Sequence, residues 1–315
     1  MKKLILIAFA AAALAGCNRS PEFYFTRGNH LYSSGKDSTA LESYNKALLL
    51  QRNYPEALVS RGMLFERLGD RQKAGLDYRK AIELRPGYLP AYNNLGAMMM
   101  DGGNYAEAVR LFTEALETNK DYSYALLNRG LALYKQGDCA AATADLSRAL
   151  ELNPKFEMAY YHRALCARKA KNFTAALADL DAVLAANPAA ALARLERGRV
   201  LFSMADYAAA AQEFGAVCEL QPKNGAAQYW LGLALHKTGY LDGALAAAQN
   251  AARLTPESYQ AQGLLGDIYA AAGQAQQAAA AYRSAAELAP KYEAFYKAKL
   301  AALSRPAAPA RKKRN

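Results

Sequence analysis

The chain has 315 residues, of which 53% are hydrophobic and 21% are charged, so it can bury a sizeable core and wholesale disorder is excluded. Alanine dominates the apolar residues, which favours many close helix contacts over a single bulky core. The net charge is +11, four cysteines are too few for a disulfide scaffold, and three scattered histidines are poor material for a metal site.

Residues 1–16 have the pattern of an export signal. Two lysines precede an apolar stretch, residues 4–15, which is too short to span a bilayer as a helix. It runs into Leu-Ala-Gly-Cys at residues 14–17, which resembles the lipobox of bacterial lipoproteins. The resemblance implies that the signal is removed and that Cys17 is lipidated. The alternative is an ordinary signal or an N-terminal membrane anchor with an incidental cysteine.

Residues 17–20 form a short tether between the lipidated cysteine and the folded part. At about 3.3–3.6 Å per residue it reaches roughly 10 Å, so the folded part is expected against the lipid surface. Two or more acyl chains on Cys17 anchor a protein stably, whereas one holds it only marginally. Similar lipoproteins of Gram-negative bacteria go to the outer membrane unless aspartate follows the cysteine, and here Asn18 follows it. The resemblance therefore implies the periplasmic face of the outer membrane.

Residues 21–292 consist of eight units of 34 residues in unbroken register. A glycine column, with one alanine, runs through Gly28, Gly62, Gly96, Gly130, Ala164, Gly198, Gly232 and Gly266. An alanine column runs through Ala40, Ala74, Ala108, Ala142, Ala176, Ala210, Ala244 and Ala278. Six units are closed by a proline: Pro86, Pro154, Pro188, Pro222, Pro256 and Pro290. This period with these residue types resembles the tetratricopeptide repeat (TPR).

Each unit predicts a helical hairpin. Two apolar-periodic segments of about a dozen residues flank a glycine turn, as at Gly102 and Gly103 in the third unit. One hairpin cannot bury its own apolar face, so neighbouring hairpins must stack. The predicted fold class is all-α, a TPR solenoid of eight helix-turn-helix repeats with a C-terminal capping helix at residues 293–303.

Residues 304–315 form a basic tail that is predicted to be disordered. Pro306 and Pro309 oppose helix, and the run at residues 311–314 is wholly basic. The tail either contacts anionic lipid or lipopolysaccharide, or is merely solvated. Nucleic acid is not expected as a partner, because an exported chain does not meet it.

The TPR resemblance implies a peptide-binding groove lined by the first helix of each repeat, mainly at positions 2, 5, 9, 12 and 13 of the unit. In repeats 4–7 no carboxylate occupies these positions. The basic residues there are Lys135, Arg168, Lys169, Arg199, His236 and Lys237, and the aromatic candidates are Tyr134, Tyr161, Phe202 and Tyr229. Such a surface attracts acidic segments with apolar side chains. The alternative is a solvated, partly charged face without a specific ligand.

Position 6 of the unit gives two further candidates. Asn94 and Asn128 stand where similar peptide-binding members use asparagine to hydrogen-bond the ligand backbone. The Lys and Asn pair that clamps a C-terminal carboxylate in chaperone-binding members is missing from the first three repeats. Trp230, also at position 6, is as suited to packing as to binding.

No catalytic site, cofactor or metal is predicted. Cys139, Cys166 and Cys218 fall at positions that are apolar or aromatic in neighbouring repeats, so they are interpreted as core residues, with a disulfide between the first two left open. No nucleophile–base pair, phosphate loop or paired-carboxylate pattern interrupts the repeats, which leave no spare domain for an active site.

The predicted function is a membrane-tethered scaffold that presents the groove to other envelope proteins. In layout the chain resembles the TPR lipoproteins that act as pilotins in pilus biogenesis and those that gather peptidoglycan hydrolases. One alternative is a structural lipoprotein whose tail and tether bind envelope surfaces, and a remote one is an enzyme.

Repeat 5 departs from the pattern. It alone lacks glycine both in the glycine column, where it has Ala164, and at the turn position equivalent to Gly103, where it has Lys171; repeat 6 has Ala205 in its turn. We expect altered stacking there and early opening around residues 169–173.

Overall fold

The computed structural model describes residues 19–303, and all regular structure in that part of the chain is helical. The predicted lipidation site at Cys17 and the basic tail lie outside the described residues. The chain divides into two compact units, one ending at Ala159 and the other beginning at Tyr160.

Eight helical hairpins follow one another along residues 19–303. The first helices are Pro21–Ser33, Pro55–Arg67, Leu89–Asp101, Ser123–Gln136, Glu157–Lys169, Ala191–Ser203, Gly225–Lys237 and Tyr259–Ala271. The second helices are Asp37–Leu50, Arg71–Leu84, Tyr105–Thr118, Cys139–Leu152, Phe173–Ala186, Tyr207–Leu220, Leu241–Leu254 and Ala275–Leu288. A 3-10 turn, Pro290–Tyr292, leads into a last helix, Glu293–Leu303. The predicted all-α TPR fold with a capping helix is confirmed.

The glycine column lets a large side chain of the second helix lie against the backbone of the first. A Cβ atom added to Gly96 would lie 2.6 Å from the Phe112 ring, and one added to Gly28 would lie 2.6 Å from the Tyr44 ring. Both rings are at most 1% exposed. The alanine column is fully buried beside them. Small residues therefore set how closely the helices approach, and large residues supply the buried area.

The turn between the two helices requires left-handed backbone. Six repeats use glycine there, with φ between +70° and +92°. Lys171 and Ala205 occupy the same position in repeats 5 and 6 and adopt φ of 60° and 65°. Repeat 5 keeps helices of 13 and 14 residues. The unusual residues are therefore accommodated by backbone strain rather than by a different turn.

Four hairpins contain an ion pair that the sequence analysis did not predict. Position 7 of the unit is arginine and position 23 is acidic, and the two side chains meet across the hairpin. The pairs are Arg61–Asp77 at 2.8 Å, Arg129–Asp145 at 2.6 Å, Arg163–Asp179 at 2.6 Å and Arg197–Glu213 at 2.5 Å. In repeats 3, 7 and 8 both positions are apolar, as with Leu95 and Leu111. In these seven repeats the two positions therefore change together, and repeat 1, with Arg27 and Ser43, is the exception.

The same arginines also reach the preceding repeat. Arg61 Nη1 donates to Asn45 Oδ1 at 2.8 Å, and Arg129 Nη1 donates to Thr113 Oγ1 at 3.2 Å. Each of these guanidinium groups thus connects three helices. Arginine suits position 7 in these repeats because it has several donors in a fixed geometry.

The last helix covers the final hairpin. Tyr296 is 5% exposed, its ring lies 6.2 Å from that of Tyr282, and its hydroxyl donates to the Tyr259 carbonyl at 3.3 Å. Lys299 pairs with Asp267, whereas Lys297 pairs on the surface with Glu293. Lys297 therefore lies at the surface of the last helix, whereas Lys299 joins that helix to the final hairpin.

Candidate partner-binding groove

A buried carboxylate holds two of the predicted groove arginines in the second unit. Glu196 is 6% exposed and lies at position 6 of repeat 6. Its Oε1 accepts from Arg199 Nη1 at 2.6 Å, and its Oε2 lies 3.1 Å from Arg168 Nε. The second contact is close enough for an ion pair, although its hydrogen-bond geometry is poor.

Glu196 was not predicted from the sequence, because it lies at position 6 and outside the five positions expected to line the groove. Position 6, which supplied Asn94, Asn128 and Trp230, was the signal that could have found it. Arg168 and Arg199 are consequently not independent charges. Two guanidinium groups share one carboxylate, which leaves one net positive charge and several unused N–H donors.

Arg199 lies beside an aromatic cluster that contains Trp230. Its guanidinium carbon lies 5.4 Å from the Trp230 ring centroid. Trp230 stacks on Phe214 at 5.8 Å and meets the edges of Phe202 and Tyr229 at 5.5 Å and 5.7 Å. Trp230 therefore packs within a half-buried cluster and keeps part of its surface accessible.

Phe202 and Tyr229 are half-buried members of that cluster rather than freely projecting side chains. Burial, with a smaller contribution from Asp267, raises the pKa of the Tyr229 hydroxyl, so this group is neutral at physiological pH. Tyr161, in repeat 5, is also half-buried, and its ring meets that of His162 at 5.3 Å.

Two lysines and a histidine complete the second unit's set. Lys169 and Lys237 are exposed, and neither forms an ion pair within residues 19–303. His236 is half-buried, and its Nδ1 is buried without a hydrogen-bond partner in that part of the chain. Lys169 and Lys237 are thus the exposed charges of this surface, whereas Arg168 and Arg199 are held by Glu196.

The remaining predicted residues belong to the first unit. Asn128 Nδ2 donates to Asn93 Oδ1 at 2.8 Å, which links the first helices of repeats 3 and 4. Asn94 is half-buried in the helix Leu89–Asp101, and its side chain makes no hydrogen bond within the described residues. Asn94 is therefore the better candidate for a ligand backbone, because one donor of Asn128 is already used.

Tyr134 and Lys135 lie in the last turn of the first helix of repeat 4, about two turns from Asn128 along the same helix. Tyr134 is half-buried and Lys135 is exposed. Tyr134 and Lys135 therefore lie in the first unit, as do Asn94 and Asn128. The other eight predicted residues lie in the second unit.

Comparison with protein families explains the repeats. A tetratricopeptide repeat profile matches residues 100–155, 127–191, 161–216, 195–256 and 239–293, and further TPR profiles match residues 28–69 and 55–88. The chain belongs to the tetratricopeptide repeat family. A search of curated proteins finds none that matches it.

Solved TPR structures share this fold at low identity. A TPR protein from Parabacteroides merdae has 22% identity and a TM-score of 0.57, over 80% of this chain and 99% of that one. The Pseudomonas aeruginosa PilF protein has 21% identity and a TM-score of 0.58, over 66% and 95%. YrrB, described as a TPR protein with an unusual peptide-binding site, has 23% identity and a TM-score of 0.53, over 59% and 96%. These likenesses show the fold alone.

The N-terminus of this TPR chain matches a second profile. The prokaryotic membrane lipoprotein lipid attachment site covers residues 1–18, which supports a lipid-anchored protein of the cell envelope. Among the described helices, none has the length and apolar character needed to cross a bilayer. TPR proteins in general bind peptides or proteins, and their fold is typically non-enzymatic.

Proposed function

We propose that this TPR lipoprotein is a membrane-anchored scaffold that binds acidic segments with apolar side chains along the first helices of its repeats. Its partners would be envelope-assembly proteins, of pilus or secretion systems or of peptidoglycan remodelling. Cys17 would carry the lipid anchor at the periplasmic face of the outer membrane. No catalytic step is assigned to the protein.

One observation carries the proposal: the arrangement of Arg168, Glu196 and Arg199 beside Trp230. Burying the Glu196 carboxylate would by itself cost free energy, but the carboxylate is paired with two guanidinium groups. These contacts hold both guanidinium groups in a fixed orientation. Guanidinium groups bind carboxylates through two parallel hydrogen bonds, and this preorganisation lowers the entropy lost on binding.

The surroundings favour a peptide that is both acidic and apolar. Lys169 and Lys237 add exposed positive charge without a nearby partner. The accessible parts of Phe202, Trp230 and Tyr229 offer apolar area with few rotatable bonds. The first unit by itself would offer a peptide a backbone contact at Asn94 and a positive charge at Lys135.

Binding can be followed directly, because Trp230 is the only tryptophan of the chain. A pool of peptides rich in glutamate and leucine is titrated into the full-length protein in detergent, and a matched pool carries glutamine in place of glutamate. We expect the acidic pool to change Trp230 fluorescence at concentrations at least tenfold below the neutral pool, and added salt to reduce the difference. Equal responses to the two pools would reject the proposal.

Charge reversal locates the site. Lys169→Glu with Lys237→Glu changes only exposed side chains and leaves Glu196 paired, so folding should be unaffected. We expect weaker binding of the acidic pool by about tenfold or more, from loss of attraction and new repulsion. Lys120→Glu with Lys223→Glu, also exposed, is the matched control.

The same variants test the function in cells. Crosslinking followed by mass spectrometry should identify defined envelope proteins that are lost with Lys169→Glu and Lys237→Glu but kept with the control. Partners that survive the groove variant would instead favour contact through another part of the chain.

A further inference from the structure

The first repeat exposes a helix face that every later repeat buries. Position 3 of the first helix is alanine in repeats 2–8, and each of these alanines is at most 1% exposed. Position 10 is apolar and at most 5% exposed in the same repeats. In repeat 1 these positions hold Phe23, which is 40% exposed, and His30, which is also exposed.

Position 7 shows what covers this face elsewhere. In repeat 2, Arg61 reaches back to Asn45 in the second helix of the preceding repeat. Arg27 holds the same position in repeat 1, where no repeat precedes it. Arg27 is exposed and forms no ion pair within residues 19–303. Residues 23, 27 and 30 share one side of the helix, because they are spaced by four and three.

Basic and aromatic side chains alternate across this end of the repeat. The Arg19 guanidinium carbon lies 4.3 Å from the Phe23 ring centroid. The Phe23 ring meets Tyr24 edge-on at 5.4 Å, and Lys46 Nζ lies 5.8 Å from the Tyr24 ring. The contacts therefore form a continuous strip across both helices of the hairpin.

The second helix of repeat 1 also departs from its counterparts. Leu49 is 75% exposed at position 29, one turn from Lys46. Five later repeats have glutamate at that position: Glu83, Glu117, Glu151, Glu219 and Glu287. A large apolar residue has thus replaced a carboxylate on the surface, which favours contact with an apolar and negatively charged partner.

We propose that these six residues, Arg19, Phe23, Tyr24, Arg27, Lys46 and Leu49, form a docking surface for an anionic phospholipid bilayer. We call them the N-terminal face. The inference rests on the lipid anchor of the proposed function and adds a second, protein-mediated contact. The lipid attachment profile ends at residue 18, directly before Arg19, so the face lies at the end of the chain where the anchor begins.

The energetics suit a bilayer surface. Basic residues near an anionic membrane are attracted to its negative surface, and aromatic rings favour the headgroup region. Repeat 1 with its leading residues exposes five lysines and arginines against two carboxylates: Arg19, Arg27, Lys36, Lys46 and Arg52 against Glu22 and Glu42. A second copy of the chain is a poorer occupant, because a symmetric contact would bring two like-charged faces together.

The test uses the full-length lipidated chain in phospholipid vesicles. Trp230→Phe removes the natural tryptophan, and Phe23→Trp places a reporter in the N-terminal face. Brominated phospholipids quench the reporter only when it enters the bilayer surface. We expect quenching to be at least twofold stronger in vesicles containing phosphatidylglycerol than in purely zwitterionic vesicles. The comparison probe, Phe295→Trp in the last helix, is 54% exposed in the native chain and should show no such dependence.

Charge reversal separates docking from tethering. Arg19→Glu, Arg27→Glu and Lys46→Glu together should lower quenching to its level in zwitterionic vesicles, although the chain still floats with them. The control combines Lys120→Glu, Lys155→Glu and Lys223→Glu, which change three exposed lysines elsewhere, and should leave quenching unchanged.

Each outcome decides the question. Quenching that is independent of phosphatidylglycerol, or insensitive to the three reversals, overturns the inference. Crosslinking of detergent-solubilised chains that is lost with Phe23→Ala would assign the face to a second copy and also overturn it. If the chain fails to float with zwitterionic vesicles, the anchor is wrong, and the inference then stands only if phosphatidylglycerol alone recruits the chain. Groove binding, measured with peptides, is independent of all these results.

Discussion

Two repeats have a residue with a side chain at the turn position where the other six repeats have glycine. Lys171 and Ala205 adopt positive φ, whereas an L-residue with a Cβ atom in the left-handed region costs roughly 1–2 kcal/mol. At the equivalent Gly103, a Cβ atom would meet nothing within 4 Å, so the cost lies in the backbone and not in a clash.

Replacing these residues by glycine should therefore stabilise the protein. We expect Lys171→Gly and Ala205→Gly each to raise the free energy of unfolding by about 0.5–1 kcal/mol, since relief of strain exceeds the added entropy of the unfolded chain. Urea midpoints measure the change. Gly103→Ala is the matched control and should lower stability by a similar amount, whereas equal midpoints for all three variants would contradict the argument.

Buried tyrosines make stability depend on alkaline pH. Burial raises the pKa of the Tyr44 hydroxyl to about 12. The unfolded chain ionises near the ordinary value of about 10, so it loses protons before the folded chain does. The contribution of Tyr44 to the free energy of unfolding is therefore fully present below about pH 10. It is lost as the pH rises towards the pKa of Tyr44 in the folded chain.

Tyr44→Phe should reduce the loss of stability at alkaline pH. The variant loses the hydrogen bond to Asn29 Oδ1, 2.8 Å long, and should be about 1 kcal/mol less stable at neutral pH. Between pH of about 10 and 12 its stability should fall less steeply than that of the native chain, because one buried ionisable group is gone. Urea midpoints across this range measure both effects, and parallel curves would refute the assignment. Phe112 is the natural precedent in repeat 3.

At the scale of the hairpin, the chain uses two solutions at the same pair of positions. Repeats 2, 4, 5 and 6 join their helices with an arginine–carboxylate pair, and repeat 3 uses Leu95 and Leu111. In repeat 4 the Asp145 side chain is 10% exposed and that of Arg129 is 24% exposed. Removing one partner leaves the other partly desolvated, whereas removing both does not.

A double-mutant cycle in repeat 4 tests this. Asp145→Leu alone should destabilise the protein by about 2 kcal/mol, because Arg129 loses its partner. Asp145→Leu with Arg129→Leu, which copies repeat 3, should recover most of that loss. Thermal or urea unfolding of the four proteins gives the coupling energy. Additive effects would mean that the ion pair does not couple the helices.

Repeat 5 remains the hairpin in which we expect the earliest opening. The strained turn at Lys171 has no glycine to relax it, so amides of residues 169–173 should exchange faster than the matching amides of repeat 3. Lys171→Gly should slow them several-fold. Uniform exchange along all eight turns would reject this expectation.

At the scale of the whole molecule, the location of charge matters more than its net value of +11. Arg61, Arg129, Arg163 and Arg197 are engaged inside hairpins and offer little to a ligand. Exposed lysines and arginines occur in the groove, at the N-terminal face and elsewhere on the surface, as at Lys120, Lys155 and Lys223. The groove and the N-terminal face are the two surfaces for which a function is proposed.

Membrane attachment should depend on a single residue outside the described part. Cys17→Ser removes the thiol that receives lipid, so we expect the chain to move from the membrane fraction to the soluble fraction. Fractionation with immunodetection measures this. Cys139→Ser, which alters a half-buried helix residue, is the control and should stay with the membrane. Retention of Cys17→Ser at the membrane in high salt would contradict a lipid anchor.

The repeat period was enough to predict the all-α fold, the paired helices and the role of the glycine and alanine columns. Local spacing carries that information, because each hairpin interacts mainly with itself and its neighbours. The period also located the turn position, where Lys171 and Ala205 stand out because the other six repeats have glycine. Only the structure showed that the backbone there is left-handed.

The state of the groove residues required tertiary structure. Arg168 and Arg199 look like free charges in the sequence, yet both contact Glu196, one from a different repeat, and Trp230 joins an aromatic cluster built from two repeats. Likewise Asn128 donates a hydrogen bond to Asn93, and Lys299 forms an ion pair with Asp267. Composition and period specify which backbone forms, but the partner of a long polar side chain depends on which neighbours the stacking brings within about 3 Å.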